Sequence, residues 1–354
     1  GYTLGHYPQS FEHSTLGGWV AARSSGQQSL GYGRIEALFA GGRLETPAGT
    51  LILPPFPASA AGPDLRQLIL GSEGRLGVVT EATVRVRPLP QTEGFYGAMF
   101  PDWERGLQAV RAAAQGERAS GGGSSMLRLS NPAETETFLN MPAHTGPVNA
   151  LRTLLRWRGM DATPCLMLYG LTGQRSATAL AGREMRALIA RHGGQYLTGA
   201  VGRQWAKTRF RSAYLRDALW EQGYAVDTLE TALPWAALPG AATGILAALA
   251  AAAHPVLPMA HVSHVYPDGG SLYFTVLFRV GGSAEETLAR WQALKEAGSR
   301  AVLAAGGTIS HQHGVGTDHR PYLLAEKGAV GLAALEAARA AFDPQAILNP
   351  GKLL

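Results

Sequence analysis

The sequence predicts an α+β protein of two domains, and three observations lead there. Its 354 residues suffice for about two domains of roughly 150 residues, each burying its own core. The first ninety residues read as short strands punctuated by glycine, whereas from residue 94 strands alternate with longer helices. That second grammar is the one expected of an antiparallel sheet with helices laid against it. The last fifty residues return to glycine loops and short helices, so they are expected to pack back on the first domain. The expected division is 1–90, 91–304 and 305–354, with the boundary set where Pro88 and Pro90 end a strand.

Each element has a local reason. Ser14 or Thr15 is placed to cap a helix over 17–22. Residues 35–46 have strand length and apolar pattern, Pro47-Ala48-Gly49 turns the chain, and 50–53 returns, which predicts a hairpin. Asp64 caps a short helix to Leu70. Residues 78–87 alternate apolar and polar side chains and form the clearest strand. A strand to Phe100 follows, then a helix over 102–116, a Gly/Ser linker over 120–125, and strands at 126–129 and 165–171. Helices are expected at 177–191 and 203–219, strands at 261–266 and 272–278, and a helix at 284–305. The Ala-rich stretch 235–260 is broken by Pro239, Pro255 and Pro258, so it reads as a buried helix and an extended segment rather than a membrane span.

Composition narrows the function. The net charge of +5 comes almost wholly from arginine, since the lysines are Lys207, Lys295, Lys327 and Lys352. Arginine suits bidentate capture of phosphate and carboxylate. The charge is spread without a basic block, which disfavours nucleic acid and favours an anionic small substrate or cofactor. A single cysteine, Cys165, excludes a disulfide framework or a Cys-rich metal site within the chain and is compatible with a reducing compartment.

Two glycine-rich segments carry the chemistry. In Gly71-Ser72-Glu73-Gly74-Arg75-Leu76-Gly77 three glycines spaced by three allow positive φ and bring amides close to a bulky ligand. The loop precedes a strand and opens no helix, so it fails the test for a Rossmann dinucleotide site. An ordinary glycine turn is the alternative. The second segment runs from Pro8 through Glu12-His13-Ser14-Thr15 to Gly17-Gly18-Trp19 and Arg23-Ser24-Ser25-Gly26, where a capped helix start permits close packing or an approach to phosphate.

These two segments, with Thr80-Glu81-Ala82 and the ending Phe342-Asp343-Pro344-Gln345-Ala346-Ile347-Leu348-Asn349-Pro350-Gly351-Lys352, resemble the FAD-linked oxidases of the vanillyl-alcohol-oxidase type. Within that superfamily, Glu12-His13-Ser14-Thr15, Met126-Leu127-Arg128-Leu129, Tyr214-Leu215-Arg216-Asp217, Thr231-Ala232-Leu233-Pro234-Trp235 and Ser310-His311-Gln312-His313-Gly314-Val315-Gly316 are similar to the alkyldihydroxyacetonephosphate synthase family. The likeness follows the whole chain in order. It implies a fold made of the second part of a vanillyl-alcohol-oxidase type FAD-binding domain and an antiparallel-sheet-and-helices substrate (cap) domain. It also implies FAD as cofactor and exchange of the acyl group of acyl-dihydroxyacetone phosphate for a fatty alcohol, without net redox change.

The resemblance assigns residues as well. FAD contacts fall on Pro8, Gln9, Ser10, Phe11, Glu12, His13 and Ser14, on Ala21, Ala22, Arg23 and Ser24, and on Glu73, Gly74, Arg75, Leu76, Gly77, Val78 and Val79. Catalytic roles fall on Tyr273, His311 and His313, and substrate binding on Arg128 and Arg216. A phenol beside a flavin suits proton shuttling, although an aromatic on a strand is also an ordinary core residue. In extended backbone His311 and His313 would face one side and accept a proton or bind phosphate. A loop-capping histidine and a metal half-site lacking a third ligand are the alternatives. Gln312 stands where the family has a third histidine, and a glutamine cannot serve as a base. Arg128 and Arg216 suit a phosphate clamp, a surface ion pair of Arg216 with Asp217 or Glu221 being the bland reading. The five side chains are expected to converge over the flavin.

The same resemblance implies partners and place: a phosphorylated lipid substrate and a fatty alcohol, no nucleic acid, a peripheral membrane contact, a homodimer and a cytoplasmic location. The alternative function is a FAD-linked 2-hydroxyacid dehydrogenase or oxidase of the D-lactate or glycolate oxidase type. The metal-using members of that group carry a histidine where this chain has Tyr273, downstream of His261-Val262-Ser263-His264, and no metal is expected here. The superfamily's flavin domain opens with a Gly-rich pyrophosphate loop upstream of everything in this sequence. The 354 residues taken alone are therefore expected to hold FAD weakly, as a chain cut before its first half-site.

Overall fold

The computed structural model describes residues 1–116, 123–140, 152–153, 155–160 and 162–354. The chain divides into two compact units, Gly1–Leu89 with Gly307–Leu354, and Pro90–Gly306.

The first unit is built on β2 (Phe39–Thr46), β3 (Gly49–Leu53) and β4 (Val78–Val84), an antiparallel sheet of order β3-β2-β4, while β1 (Tyr2–Thr3) pairs with β5 (Arg87–Pro88). The expected hairpin is present, with one change: Ile35–Leu38 is a helical turn, not strand. Ile35 and Leu38, three apart, are both buried, and helical spacing puts both on one side. The expected strand over 78–87 stops at Val84 because the Arg85 amide turns to donate to Leu38 O at 2.8 Å. The helix Arg66–Ile69 starts two residues after Asp64, whose carboxylate accepts from the Arg66 amide at 3.0 Å and grips its guanidinium. Val20, Ile35, Phe39, Leu44, Ile69 and Leu76 form the core. Gly77 borders it: a Cβ there would lie 2.6 Å from Leu44 Cγ, so no side chain fits between loop and strand. Toward the C-terminus, where short helices were expected, Leu323–Phe342 runs as one helical stretch kinked at Gly328, φ 67°, carried by alanines of high helix propensity.

The second unit holds a seven-stranded antiparallel sheet: β6 (Thr92–Phe100), β7 (Ser124–Ser130), β8 (Cys165–Gly173), β9 (Gln195–Tyr196), β10 (Tyr224–Pro234), β11 (Val256–Val265) and β12 (Gly269–Arg279), in the order β10-β12-β11-β7-β8-β6-β9. Four helices, Trp103–Ala114, Arg175–Arg191, Leu238–Ala252 and Ala284–Ala304, cover one face. Asp102 and Ser283 cap the first and last of these, accepting from the Arg105 and Glu286 amides. Gly106 and Gly298 bring two of them against Leu129 and Leu229. The helices Pro132–Leu139 and Gly199–Thr208 lie on the opposite face, where Phe95, Met126, Leu166, Leu168 and Trp205 cluster. A Cβ at Gly202 would stand 2.0 Å from the Phe95 carbonyl, so only glycine lets that helix touch β6.

Two expectations change here. The helix expected at 203–219 is three pieces, Gly199–Thr208, a 3₁₀ turn at Arg211–Tyr214 and Leu215–Trp220. Strand β10 was not expected, because Asp227 and Glu230 interrupt its apolar run. Of the expected Gly/Ser linker, residues 120–122 lie outside the described residues, and Ser124 already begins β7. Among the described residues no helix is long and apolar enough to cross a membrane.

Candidate functional site

In the first unit the three segments expected to meet FAD are neighbours. Residues 8–14 fold as successive turns, with Phe11 N donating to Pro8 O at 3.0 Å and His13 N to Ser10 O at 2.8 Å. They lead into the helix Leu16–Ala22, which Thr15 caps by accepting from Gly18 N. Trp19 Nε1 donates to Ser14 Oγ at 2.6 Å, and the Phe11 and Trp19 rings stack at 5.8 Å. At the helix end Arg23 adopts φ 53°, and the Gly71 and Glu73 amides donate to Val20 O and Ala21 O. Pro8–Ser14 apart, the segments Ala21 to Ser24 and Glu73 to Val79 are thus tied together by backbone bonds, and Val79 packs beside Gly17.

The side chains of the glycine loop face elsewhere. Glu73 accepts from the amides of Val315 and, at 2.8 Å, Gly316; Arg75 donates to Leu348 O. Leu76 is core and Val78 is exposed. What the loop offers a ligand is backbone: among the described residues the amides of Gly74, Leu76 and Gly77 donate to no acceptor, although Leu76 and Gly77 are buried. Unspent amides in a buried glycine turn suit an electronegative edge or a phosphate, so the donor set fits a dinucleotide.

His311 and His313 do not share a side. His311 is buried and His313 exposed, since the chain bends over residues 311–313 instead of running extended. Arg34, which the sequence reading missed, holds the bend: its guanidinium donates to His311 O at 2.9 Å and Arg23 O at 3.1 Å and ion-pairs with Glu36 at 3.4 Å. Its signal was only its place between two glycine-rich turns. His6 was also missed. It is buried with Nε2 2.7 Å from Ser24 Oγ, and burial, then Arg34, lowers its pKa to about 4, so it is neutral.

In the second unit Arg128 on β7 and Tyr273 on β12 share the face that carries Pro132–Leu139. Two unexpected residues join them. His261 on β11 is the cross-strand partner of Tyr273 and of Ser130, and its ring stacks on the phenol at 4.9 Å and 21°. Glu134, in the first turn of Pro132–Leu139, reaches His261 Nδ1 at 2.9 Å and Arg128 at 3.0 Å with the same oxygen. Burial opposes charge on both His261 and Glu134; against it, His261 and then Arg128 hold Glu134 ionised, well below the usual carboxylate range, while burial and then Arg128 keep His261 neutral. Burial pushes Tyr273 up to about 12, against a hydrogen bond from Thr228 and with the charge of Glu230, its partner on β10, so the phenol keeps its proton.

Arg216 stands apart from these. Its side chain is 66% exposed, donates to Val226 O at 3.3 Å and lies 3.9 Å from Asp227, not from Asp217 or Glu221. Asp227 pairs with Val276 in register and bonds Trp291 and Lys295 of the helix layer, which is the face opposite Tyr273. There Arg216 borders a cleft of about 810 Å³ with Trp220, Phe278, Leu288 and Trp291. Arg128 and Tyr273 are brought to one face; Arg216 is not.

Residues 89–353 match the model of the C-terminal domain of FAD linked oxidases, and residues 1–53 match a FAD binding domain. The chain belongs to the FAD-linked oxidase family. An alkyldihydroxyacetonephosphate synthase of Dictyostelium discoideum is 32% identical over 367 residues, which take in all of this chain and 59% of that protein. A solved alkyldihydroxyacetonephosphate synthase structure superposes with a TM-score of 0.78 at 28% identity, over 99% of this chain and 60% of that one. The glycolate oxidase subunit GlcD of Bacillus subtilis is 28% identical over 98% of this chain and 69% of its own length. The chain therefore spans about three fifths of the synthases it matches. FAD is the cofactor of this family, and the amides of Gly74, Leu76 and Gly77 are the groups in the first unit best placed to hold it.

Proposed function

We propose that this chain is the later part of a flavoenzyme that exchanges the acyl group of acyl-dihydroxyacetone phosphate for a fatty alcohol, the activity for which the synthase relatives are named. The observation that carries the reading is the pairing of Arg128 with Tyr273 on one sheet face, within a chain similar to the synthases from end to end. The bound flavin supplies an electron-accepting ring that stabilises negative charge developing on a substrate carbon. The protein's own residues do the rest: Arg128 orients an anionic or carbonyl group by directed N–H bonds, and the protonated Tyr273 donates to a substrate oxygen. A lipid substrate favours work at a membrane surface, and a homodimer and a cytoplasmic setting belong to the same proposal.

The glycolate oxidase likeness supports a second reading, oxidation of a 2-hydroxyacid. Incubation of the flavin-loaded protein with palmitoyl-dihydroxyacetone phosphate and hexadecanol, beside D-lactate with an electron-accepting dye, separates the two. Ether product without dye reduction is expected. Dye reduction without ether would overturn the synthase reading.

A further inference from the structure

We propose that His261 is the proton acceptor of the second unit, with Glu134 as the residue that fixes its tautomer; the inference rests on the synthase-type reading above. Nδ1 has two neighbours of opposite demand, a Glu134 oxygen at 2.9 Å and an Arg128 nitrogen at 3.3 Å. A bare Nδ1 would set a lone pair against a carboxylate oxygen at the shorter distance. A protonated Nδ1 makes a charge-assisted hydrogen bond there, and Arg128 keeps its own bond to the same oxygen at 3.0 Å. The shorter, charged contact wins, so the proton sits on Nδ1 and the lone pair on Nε2.

Nε2 is the available end. Among the described residues it has no hydrogen-bond partner, and it is not one of the buried polar atoms closed off from solvent. The ring cannot turn away, since its face is stacked on Tyr273 and its other nitrogen is held. A carboxylate–imidazole pair with its far nitrogen open is the arrangement a general base needs. In the step assigned to it, a C–H bond of the substrate breaks and its electron pair stays on carbon. An N–H bond forms at Nε2, and the resulting imidazolium is paired with the Glu134 carboxylate. The proton returns to the carbon as the exchange completes, so nothing is oxidised or reduced.

The charged and titratable groups facing His261 are Arg128 on β7, Glu134 on the helix Pro132–Leu139 and Tyr273 on β12, with Glu230 on β10 behind the phenol. Their signs fix the pH behaviour. Burial and Arg128 lower the imidazole's pKa, and Glu134 opposes them, so removing the carboxylate lowers it further.

The test is hydrogen exchange between palmitoyl-dihydroxyacetone phosphate and D₂O, followed by mass spectrometry on flavin-loaded wild type, His261→Gln and Glu134→Gln, with ¹⁵N-histidine spectra of each. Wild type should exchange, and its His261 should show Nδ1 protonated and Nε2 bare. His261→Gln should lose about 10² to 10⁴ of the exchange rate. Glu134→Gln, which leaves the imidazole present if His261→Gln fails to fold, should lose about 10 to 100-fold and shift the acid limb of the pH profile to lower pH. Wild-type exchange that persists at full rate in His261→Gln, or spectra with the proton on Nε2, would overturn the role of His261 while leaving the synthase reading intact. Absence of exchange in wild type would overturn both.

Discussion

Replacing Glu73 should destabilise the first unit. The carboxylate accepts two backbone amides, Val315 and Gly316, and so closes the loop at 71–77 onto the segment that carries His311 and His313. A hydrogen bond to a charged group contributes roughly 1.5–3 kcal/mol net. Glu73 is half-buried, so water can partly replace it, and about 3 kcal/mol is expected for Glu73→Ala. At roughly 3 °C per kcal/mol for a unit near 150 residues, that is about 9 °C in melting temperature. Glu73→Gln keeps one acceptor and points an NH₂ at the other amide, so about half the loss or more is expected. Thermal unfolding followed by tryptophan fluorescence, with Trp19 as the reporter in this unit, reads the change. Melting within 1 °C of wild type for both variants, combined with loss of bound flavin, would refute the clamp and return Glu73 to direct contact with the cofactor.

Three further outcomes follow from single sites. Burial opposes charge on Glu326, but Lys327, the Ile309 amide and Thr308 outweigh it and depress its pKa below 4.5. Its stabilisation is therefore complete above that ordinary value and lost as pH falls through the depressed one, and Glu326→Gln should flatten the acid limb of a melting-temperature profile. An unchanged limb would count against the assignment. Gly202→Ala sets a methyl 2.0 Å from the Phe95 carbonyl and should cost about 3 kcal/mol, read as a lower urea midpoint at constant slope; a shift below 0.5 kcal/mol would show that the helix can move off β6. Cys165 is buried, and desolvation, then Asp102, pushes its thiol up to about 12, so a disulfide reagent at pH 8 should titrate it only in denaturant. Prompt labelling of folded protein would contradict its burial.

Local chemistry made much of the fold legible. Thr15 announced a helix start by a side chain that accepts from the N3 amide, and the alternation over 78–87 marked a strand that runs to Val84. Strand β10 escaped because its two acids meet residues remote in sequence: Asp227 bonds Trp291 and Lys295, and Glu230 stands in register with Tyr273. The site divided in the same way. Arg128 and Tyr273 were visible through resemblance, whereas Glu134 reads in sequence as a first-turn helix acid that complements the dipole, and His261 as half of a metal-type segment. Only the register of β11 against β7 and β12 reveals that they meet. The expectation that His311 and His313 face one way assumed extended backbone, and the bend over residues 311–313 breaks that assumption.

The charge balance around His261 also bears on the phosphate clamp that resemblance gave to Arg128. With His261 neutral and Tyr273 protonated, the charges of Arg128 and Glu134 cancel each other, the guanidinium being already committed to that carboxylate at 3.0 Å. A phosphate arriving at Arg128 would stand within about 5 Å of that carboxylate, a repulsion of roughly 3 kcal/mol at an effective dielectric of 20. The arrangement thus sacrifices anion affinity to hold an imidazole in one tautomer. Glu134→Gln should move anion binding and proton transfer in opposite directions: tighter binding of dihydroxyacetone phosphate by about a hundredfold, and slower proton transfer from any substrate carbon. Isothermal titration with dihydroxyacetone phosphate reads the first and D₂O exchange the second. If both weaken together, Glu134 acts by supporting the helix Pro132–Leu139 against the sheet, and Arg128 recovers its place as a phosphate clamp.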